Sequence, residues 1–215
     1  MSGPSLPTVK VMMNPVIEAI YNRRSIRDYE PKPVPRDVIN TIIEAGNQAP
    51  FMSEKRVQPW RFVVVEDPEF KQKLRQTTHP IWKKFMENSK ETLPEIYEKA
   101  MMVYEAMEEP KDMVYWSAPV IIFVIGPTRN ATCCALACEN IMIAATSLGL
   151  GSCYVGFGSM VTGDADVVKT LELTDDERIY GPILLGYPKD ESSAHVARGL
   201  ASLAPKKKEA TIKWI

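Results

Sequence analysis

The chain has 215 residues, of which 45% are hydrophobic and 25% are charged, and its formal net charge is −1. This composition is ordinary for a globular protein, and the balanced charge argues against broad binding to nucleic acid or membrane surfaces. No apolar run in the sequence approaches the roughly 20 residues that span a bilayer. The first residues also lack the charged start and long apolar stretch of a secretory signal. We therefore expect a cytoplasmic protein with one substantial core.

Helix and strand signals organise the N-terminal part of the chain. Asn14 and Pro15 supply an N-cap and a proline at the first helical position, which predicts a helix as far as Tyr21. Prolines then enforce an extended linker, and a second helix is expected to begin near Pro35. Residues 60–66 (WRFVVVE) are rich in β-branched and aromatic side chains and predict a strand.

The middle of the chain alternates between polar and strongly apolar stretches. Residues 68–113 favour helix, and we expect Pro80 and later prolines to divide them. A helical lid or insert is predicted for residues 77–116. The continuous apolar run 119–126 (PVIIFVIG) predicts a buried strand. Residues 131–148 predict the longest helix, which is apolar on almost every side.

The C-terminal part begins with a glycine-rich turn, residues 149–156, that leads into a short strand. A helix is predicted for residues 164–171 and a further strand for 179–185. The tail at 204–215 is basic and partly apolar. Helices mixed with a few separated strands indicate an α+β or layered α/β domain.

The four cysteines give no pattern of a metal site or a disulfide framework. Cys133, Cys134 and Cys138 lie in the long apolar helix, and Cys153 lies within the glycine-rich turn. Cys134 and Cys138 share a helix face, but no Cys-x-x-Cys pair or histidine cluster accompanies them. We interpret them as buried small apolar side chains and predict no metal site.

Three arginines and a serine lie within residues 23–27 (RRSIR), directly after the first predicted helix. Like charges repel, so such a cluster usually has an anionic partner, and the arginine fork suits phosphate or carboxylate. The alternative is a solvated helix end, because cations are also favoured near a helix C-terminus. The cluster alone leaves both interpretations open.

Several motifs follow this cluster in a fixed order along the chain. They are RRSIRDYEPKPV, QAP at 48–50, QPWRFVVV, ENIMIAATSLGLGSCYVG and ILLGYP. Together they resemble the nitroreductase family of flavoenzymes, from residue 14 to the C-terminus except for 68–113. The resemblance implies one nitroreductase-like α+β domain over residues 1–215, with a central, mostly antiparallel sheet flanked by helices. It also implies an intertwined homodimer, with the tail at 204–215 extending toward the partner subunit.

The resemblance further implies FMN, bound without covalent linkage at the dimer interface. The first part of the cluster, residues 23–25, would hold the phosphate, and Arg27 would reach the pyrimidine edge of the flavin, where a cation stabilises the reduced ring. The alternative for Arg27 is a surface arginine paired with Asp28 or Glu30. The implied cofactor-binding residues are Arg23, Arg24, Ser25, Ile26, Arg27, Ser53, Gln58, Cys153, Tyr154, Val155, Gly156, Lys206, Lys207 and Lys208.

Two parts of this implied site have alternative interpretations. The turn at 149–156 would bring backbone close to the N5 side of the flavin, but Gly149 is equally suited to a helix C-cap. Tyr154 would pack along the flavin or serve as a core aromatic. The family usually has Ala-Pro-Ser and then a short loop with an asparagine; here the loop at 51–57 lacks that asparagine, and Ser53 would stand in for the usual serine hydroxyl. Gln58 would hydrogen-bond the ring or cap the strand.

The implied mechanism depends on the cofactor rather than on side chains, so we predict no catalytic residue. NADH or NADPH would transiently give a hydride to flavin N5, and a flat acceptor, such as a nitroaromatic or quinone, would then take the electrons in ping-pong order. The alternative is a flavin-binding protein of the same fold with another role: reductive dehalogenation, flavin breakdown or non-enzymatic binding. We expect no nucleic-acid or membrane partner. The sequence selects neither the donor nor the acceptor.

Overall fold

The computed structural model describes residues 14–53, 56–189 and 210–214. Helices and strands alternate irregularly along the chain, and two short 3-10 helices cover Thr128–Asn130 and Gly156–Gly163. In chain order the elements are α1 (Pro15–Asn22), α2 (Arg36–Asn47), β1 (Arg61–Val65), α3 (Pro68–Ser89), α4 (Pro94–Ala106), β2 (Val120–Pro127), α5 (Ala131–Ser147), β3 (Gly151–Tyr154), α6 (Ala165–Thr170) and β4 (Glu177–Gly186).

The strands form one sheet in the order β1-β2-β4-β3, and every neighbouring pair is antiparallel. The register aligns Val63 with Phe123 in the first pair and Cys153 with Leu184 in the last. Strand β3 follows α5 in the chain but pairs with β4, at the sheet edge opposite β1. The predicted α+β fold, with an antiparallel central sheet flanked by helices, is confirmed.

Local chemistry explains where the first and third helices begin. The Asn14 side chain accepts the backbone N–H of Ile17 at 3.0 Å, and the Asp67 side chain accepts that of Phe70 at 2.7 Å. Both caps precede a proline at the start of the helix, where its missing N–H costs nothing. The predicted start of the first helix is therefore confirmed.

The two faces of the sheet carry separate cores, because successive side chains of a strand point to opposite sides. On one face, which we call the α5 face, α2 and α5 pack against Val120, Ile122 and Val124. On the other, the α3 face, α3, α4 and α6 pack against Ile121 and Phe123. The predicted buried strand thus supplies both cores.

The expected break at Pro80 is wrong, because α3 runs without interruption from Pro68 to Ser89. Leu74 and Trp82, on either side of the proline, are both buried in the core of the α3 face. Trp82 also stacks on Tyr104 of α4, with ring centroids 5.2 Å apart. Tertiary packing therefore holds together a helix that the proline alone would weaken. The lid role of residues 77–116 stays a prediction.

Candidate functional site

The arginine cluster runs along the outer edge of β3. Ser25 forms a parallel bridge with Ser152, and the Ile26 N–H donates to the Ser152 carbonyl at 2.9 Å. Ile26 is buried against Gly151, where an added Cβ would meet the Ile26 side chain at 2.7 Å. Glycine at 151 is what allows this close approach. The fold thus brings together two of the predicted site segments, residues 23–27 and 153–156.

The arginines of the cluster differ in how many of their donors are engaged. Among the described contacts Arg23 makes a single loose ion pair, with Glu139, 3.7 Å from Nε to Oε1, and both side chains are partly exposed. Arg24 donates from Nη1 to the carbonyls of Tyr21 and Arg23, at 2.6 and 2.8 Å, and so caps the end of α1. Arg24 therefore interacts with the helix end, as the alternative interpretation of the cluster expected, while the guanidinium of Arg23 is available to an anion.

Arg27 lies on the α3-face side of this edge with most of its donors free of protein partners. Its one hydrogen bond within the described residues is long, 3.5 Å from Nη1 to the Ser25 carbonyl. The described ion pairs give it no salt bridge to Asp28; that carboxylate lies 3.9 Å from Lys189 instead. The alternative of an Arg27–Asp28 surface pair is therefore not what the structure contains.

Cys153 and Tyr29 surround Arg27 with groups that stay neutral. Burial raises the pKa of the Cys153 thiol, while the positive charge of Arg27 opposes this rise. Burial also raises the pKa of Tyr29, whose hydroxyl donates to the Ile26 carbonyl at 2.6 Å. A neutral, buried thiol is neither a nucleophile nor a metal ligand. Cys153 can therefore contribute backbone and packing to the site, but no charge.

Backbone is accessible where β3 ends. Tyr154 and Gly156 are exposed, and Val155 between them donates its N–H to the Pro182 carbonyl at 2.9 Å. A Cβ built on Gly156 would meet only the Tyr154 ring, at 3.9 Å. Gly149, in contrast, has φ of +75° and follows Leu148, the C-cap of α5, so it is the left-handed residue that terminates the helix, in line with the capping interpretation.

Ser53 and Gln58 lie near the start of β1, at the other edge of the sheet. Strand β1 is separated from β3 by three strand spacings, roughly 14 Å at about 4.8 Å each. The loop before β1 instead contacts α5, since the Asn130 side chain donates to the Met52 carbonyl at 3.0 Å. One subunit therefore does not bring Ser53 and Gln58 to the arginine cluster. The predicted Lys206, Lys207 and Lys208 lie outside the described residues.

A cleft of about 430 Å³ opens beside Arg27 on the α3 face. One wall is formed by residues 27–29 and the other by the end of α4 and the segment that follows it, as far as Ser117. Within the predicted lid segment 77–116, Met107 lines this cleft, whereas Trp82 and Tyr104 are buried in the core. Side chains around the cleft include Arg27, Tyr29, Met107, Asp112, Trp116 and Lys189.

The second wall of the cleft has an unusual backbone. Trp116 and Ser117 have φ of 53° and 50°, in the left-handed region that costs a residue with a side chain roughly 1–3 kcal/mol. The buried Asp112 carboxylate offsets this cost, because it accepts the N–H groups of Tyr115 at 2.8 Å and Ser117 at 3.0 Å. Sequence reasoning missed Asp112 and Trp116, since no glycine or asparagine marks the turn.

Neither a metal site nor a membrane-spanning helix is found in the described part of the chain. Residues 14–53, 56–189 and 210–214 contain no group of three or more metal-ligating side chains. No helix among them is long and apolar enough to cross a membrane.

An antiparallel sheet with helices on both faces and an arginine cluster along its edge strand defines an α+β protein with a basic sheet edge. A family model described as "Nitroreductase family" matches residues 20–187. The chain therefore belongs to the nitroreductase family.

Relatives of known name agree with this assignment over most of the chain. A protein from Archaeoglobus fulgidus, named after NADH dehydrogenase and NAD(P)H nitroreductase activities, is 28% identical over 185 residues, 86% of this chain and 92% of the relative. The crystal structure of a Bacteroides fragilis nitroreductase with bound FMN is 26% identical, with a TM-score of 0.62 over 94% of this chain and 96% of that one. The rat protein named iodotyrosine deiodinase 1 is 46% identical over 59 residues, 27% of this chain and 20% of its own.

Proposed function

We propose that this chain is an FMN-dependent oxidoreductase that uses NADH or NADPH to reduce a small flat acceptor such as a quinone or nitroaromatic. One observation carries the proposal. The arginine cluster lies along β3, joined by the Ser25–Ser152 bridge, in a chain of the nitroreductase family. The Bacteroides fragilis relative was solved with FMN bound.

The residues present fit a group with a phosphate at one end and a planar ring at the other. Arg23 and Ser25 offer a guanidinium and a hydroxyl at an accessible sheet edge, the donor set that a phosphate dianion requires. Arg24 has donors left beyond those that cap α1. The exposed backbone at Gly156 has room for a flat ring to approach. The chemistry of the donors and the open backbone both support FMN.

When bound, FMN supplies two-electron chemistry, accepting a hydride and passing reducing equivalents to an acceptor. The chain's own part is to bind, orient and stabilise charge. Arg27, whose guanidinium makes one long hydrogen bond, would place its positive charge at the pyrimidine edge and so favour the reduced, negatively charged form. Arg23 would anchor the phosphate. This division of labour is our proposal for the cluster.

We also propose that two copies of the chain assemble into the active unit. Val16 and Ile20, one helical turn apart on α1, are 62% and 48% exposed. Exposed apolar residues on one helix face usually mark an interface. A second copy would also supply Ser53 and Gln58 to a site whose arginine cluster lies at the opposite sheet edge in one subunit. A dimer would therefore bring Ser53 and Gln58 to the arginine cluster of the partner subunit.

The cofactor proposal is tested by the absorption spectrum of the purified protein, followed by anaerobic addition of NADH and NADPH. Oxidised flavin absorbs near about 375 and about 450 nm, and a reductase must bleach those bands. We expect R23A to lose FMN and R27A to keep it but reduce it more slowly. R129A changes an exposed arginine outside the cluster and is the control. Absence of the bands in the wild type, or equal FMN loss in R23A and R27A, would contradict the proposal.

The dimer is tested separately by analytical ultracentrifugation. I20E places a charge on the exposed face of α1 and should shift the protein toward monomer. M102E adds the same charge to an exposed methionine of α4, on the other side of the sheet, and should leave the mass unchanged. A monomeric wild type, or a dimeric I20E protein, would rule out this interface.

A second candidate function is reductive dehalogenation, which the 59-residue similarity to iodotyrosine deiodinase 1 favours. This activity would replace iodine on an aromatic ring by hydrogen, using two electrons and one proton and releasing iodide. Incubation of the reduced protein with 3-iodotyrosine and measurement of iodide separates the two candidates. Iodide release at a rate comparable with quinone reduction would favour the dehalogenase.

A further inference from the structure

The cleft beside Arg27 is bounded by a turn that the protein holds in a strained conformation. Trp116 and Ser117 are consecutive left-handed residues, and neither is the glycine or asparagine that usually occupies such positions. Strain of this kind persists only where the surroundings over-determine it, and it is found preferentially at ligand sites. The strained turn therefore indicates that the position of Trp116 has a function.

The buried Asp112 carboxylate restrains the turn, because both of its oxygens accept backbone N–H groups. Oδ1 accepts the N–H groups of Val114 and Tyr115, at 3.2 and 2.8 Å, and Oδ2 accepts that of Ser117 at 3.0 Å. Tyr115 adds a second anchor, because its buried hydroxyl donates to the Gly158 carbonyl at 2.9 Å. Trp116 lies between two anchored residues, with its half-buried side chain lining the cleft.

The lining of the cleft indicates the chemistry of its occupant. About 430 Å³ is a volume typical of small-molecule sites, and an indole wall favours a flat ring. Lys189 lies 3.9 Å from the Asp28 carboxylate, and Glu108 adds a second carboxylate to the cleft lining, while Arg27 would be committed to the cofactor edge and Asp112 to its amides. A cleft with this balance does not favour an anion. Its occupant should be aromatic and uncharged.

We propose that Trp116 is the aromatic wall on which a neutral aromatic acceptor packs, and that Asp112 is the positioning residue that holds Trp116 there. This inference rests on the proposed function, since the acceptor must lie within reach of the cofactor beside Arg27. The acceptors would be neutral, quinone-like rings rather than anions such as ferricyanide.

The first test compares W116A and W116F with the wild type, using menadione as the neutral aromatic acceptor and ferricyanide as the anionic one. We expect W116A to raise KM for menadione about tenfold, the equivalent of one lost aromatic contact. W116F should keep most of the affinity. KM for ferricyanide should stay within about twofold in both variants. F85A removes a partly exposed aromatic of α3 outside the cleft and is the control.

The second test separates positioning from folding. D112N keeps an oxygen for Val114 and Tyr115 but replaces the acceptor of the Ser117 N–H by an amide that cannot accept it. We expect this variant to keep FMN and raise KM for menadione. S117G relaxes the left-handed position, because glycine adopts positive φ freely. The double variant D112N/S117G should therefore return KM to within about threefold of the wild type.

The outcomes distinguish this inference from the function on which it rests. A wild type without flavin bands would remove the proposed function itself. A protein reduced by NADH but not reoxidised by menadione would overturn the acceptor class. Unchanged KM for menadione in W116A would overturn the role of Trp116. If D112N loses FMN, or if KM for menadione does not recover in D112N/S117G, the role of Asp112 is structural only.

Discussion

The α5 face and the α3 face of the sheet are both buried and both include polar contacts, such as the Asn140 side chain donating to the Ala45 carbonyl at 3.2 Å on the α5 face, but close ion pairs contribute mainly to the α3 face. On the α5 face, small and branched side chains of α2 and α5 pack directly on the sheet, and Gly46 allows α2 to approach Ile141 closely. On the α3 face, packing is joined by polar anchors: Arg61 reaches the end of α6, and Lys73 and Thr77 of α3 contact Asp164.

This difference indicates that one face stabilises the protein and the other gives a ligand access to it. Close packing transmits strain and leaves no room for a ligand, whereas elements tied by a few polar contacts can open locally. The cleft, the left-handed turn and the free side of Arg27 all belong to the α3 face. We infer that the α5 face supplies the scaffold and that the α3 face supplies the opening. The predictions below test that contrast, beginning with the largest expected effect.

Truncation of Ile141 should be the most damaging change on the α5 face. Its side chain is fully buried in α5, so I141A loses apolar contacts and leaves a cavity. We expect the free energy of unfolding to fall by about 2–5 kcal/mol in urea titrations at one protein concentration. T132A, at an exposed site of the same helix, should stay within about 0.5 kcal/mol of the wild type. A loss below that of T132A would show that the face is not tightly packed.

Replacement of Arg61 should cost less, because the α3 face depends on polar geometry in addition to packing. Arg61 donates to both oxygens of Glu177 and to the Leu171 carbonyl, each at 2.9 Å. R61K keeps the charge but loses the two-pronged contact, so we expect a loss of about 1–2 kcal/mol. R36K, in an exposed arginine–glutamate pair, is the matched control and should be nearly neutral. Equal effects of R61K and R36K would mean that the anchor contributes nothing.

The contrast also explains which parts of the molecule the sequence could predict. The α5 face depends on local signals: the Asn14 cap, the apolar run of β2 and the long apolar helix each indicate their element directly. The α3 face depends on distant contacts. Burial of Trp82 carries α3 through Pro80, and the Asp112 carboxylate imposes positive φ on Trp116 and Ser117 without a glycine to mark it.

In the candidate site, too, some features follow from local sequence patterns and others from long-range topology. The arginine cluster is visible as a local motif, but its place beside Ser152 follows from long-range topology that no local pattern marks. Ser53 and Gln58 were expected in the same site, yet one subunit leaves them at the opposite edge of the sheet. Short-range patterns therefore marked candidate anion-binding residues, while long-range topology decided which of those residues lie close together.

The ion pair between Lys73 and Asp164 should make the α3 face sensitive to acid. The Lys73 ammonium, 2.8 Å away, lowers the pKa of Asp164 to about 2 from an ordinary 3.8. A carboxyl with a lowered pKa in the folded state stabilises above its ordinary pKa and loses that contribution as pH falls toward about 2. D164N keeps an N-cap for α6 but not the charge.

The melting temperatures of the wild type and D164N should therefore differ most above about pH 4 and converge near pH 2. Because Lys73 and Asp164 lie near the surface, added salt should shrink the difference. D166N removes the charge of the more exposed carboxylate beside Lys73, 3.4 Å away, and should show a smaller effect over the same pH range. A difference that is independent of pH would mean that the charge of Asp164 plays no part.

The smallest effect concerns thiols and compares the opening of the two faces directly. Burial raises the pKa of Cys134 and Cys138, on the α5 face, to about 12, and raises that of Cys153, on the α3 face beside Arg27. Such thiols react only after local or global opening, since the thiolate is the nucleophile. The half-buried Cys133 should react first, so C133S removes that phase.

With C133S at pH 8, iodoacetamide labelling followed by mass spectrometry should modify Cys153 before Cys134 and Cys138. The reason is that Cys153 needs only the polar-anchored α3 face to open, whereas Cys134 and Cys138 require α5 to leave the sheet. R61K should speed the labelling of Cys153 and leave the other two unchanged. Simultaneous labelling of all three cysteines would mean that both faces open as one unit, and the separation of scaffold from opening would then fail.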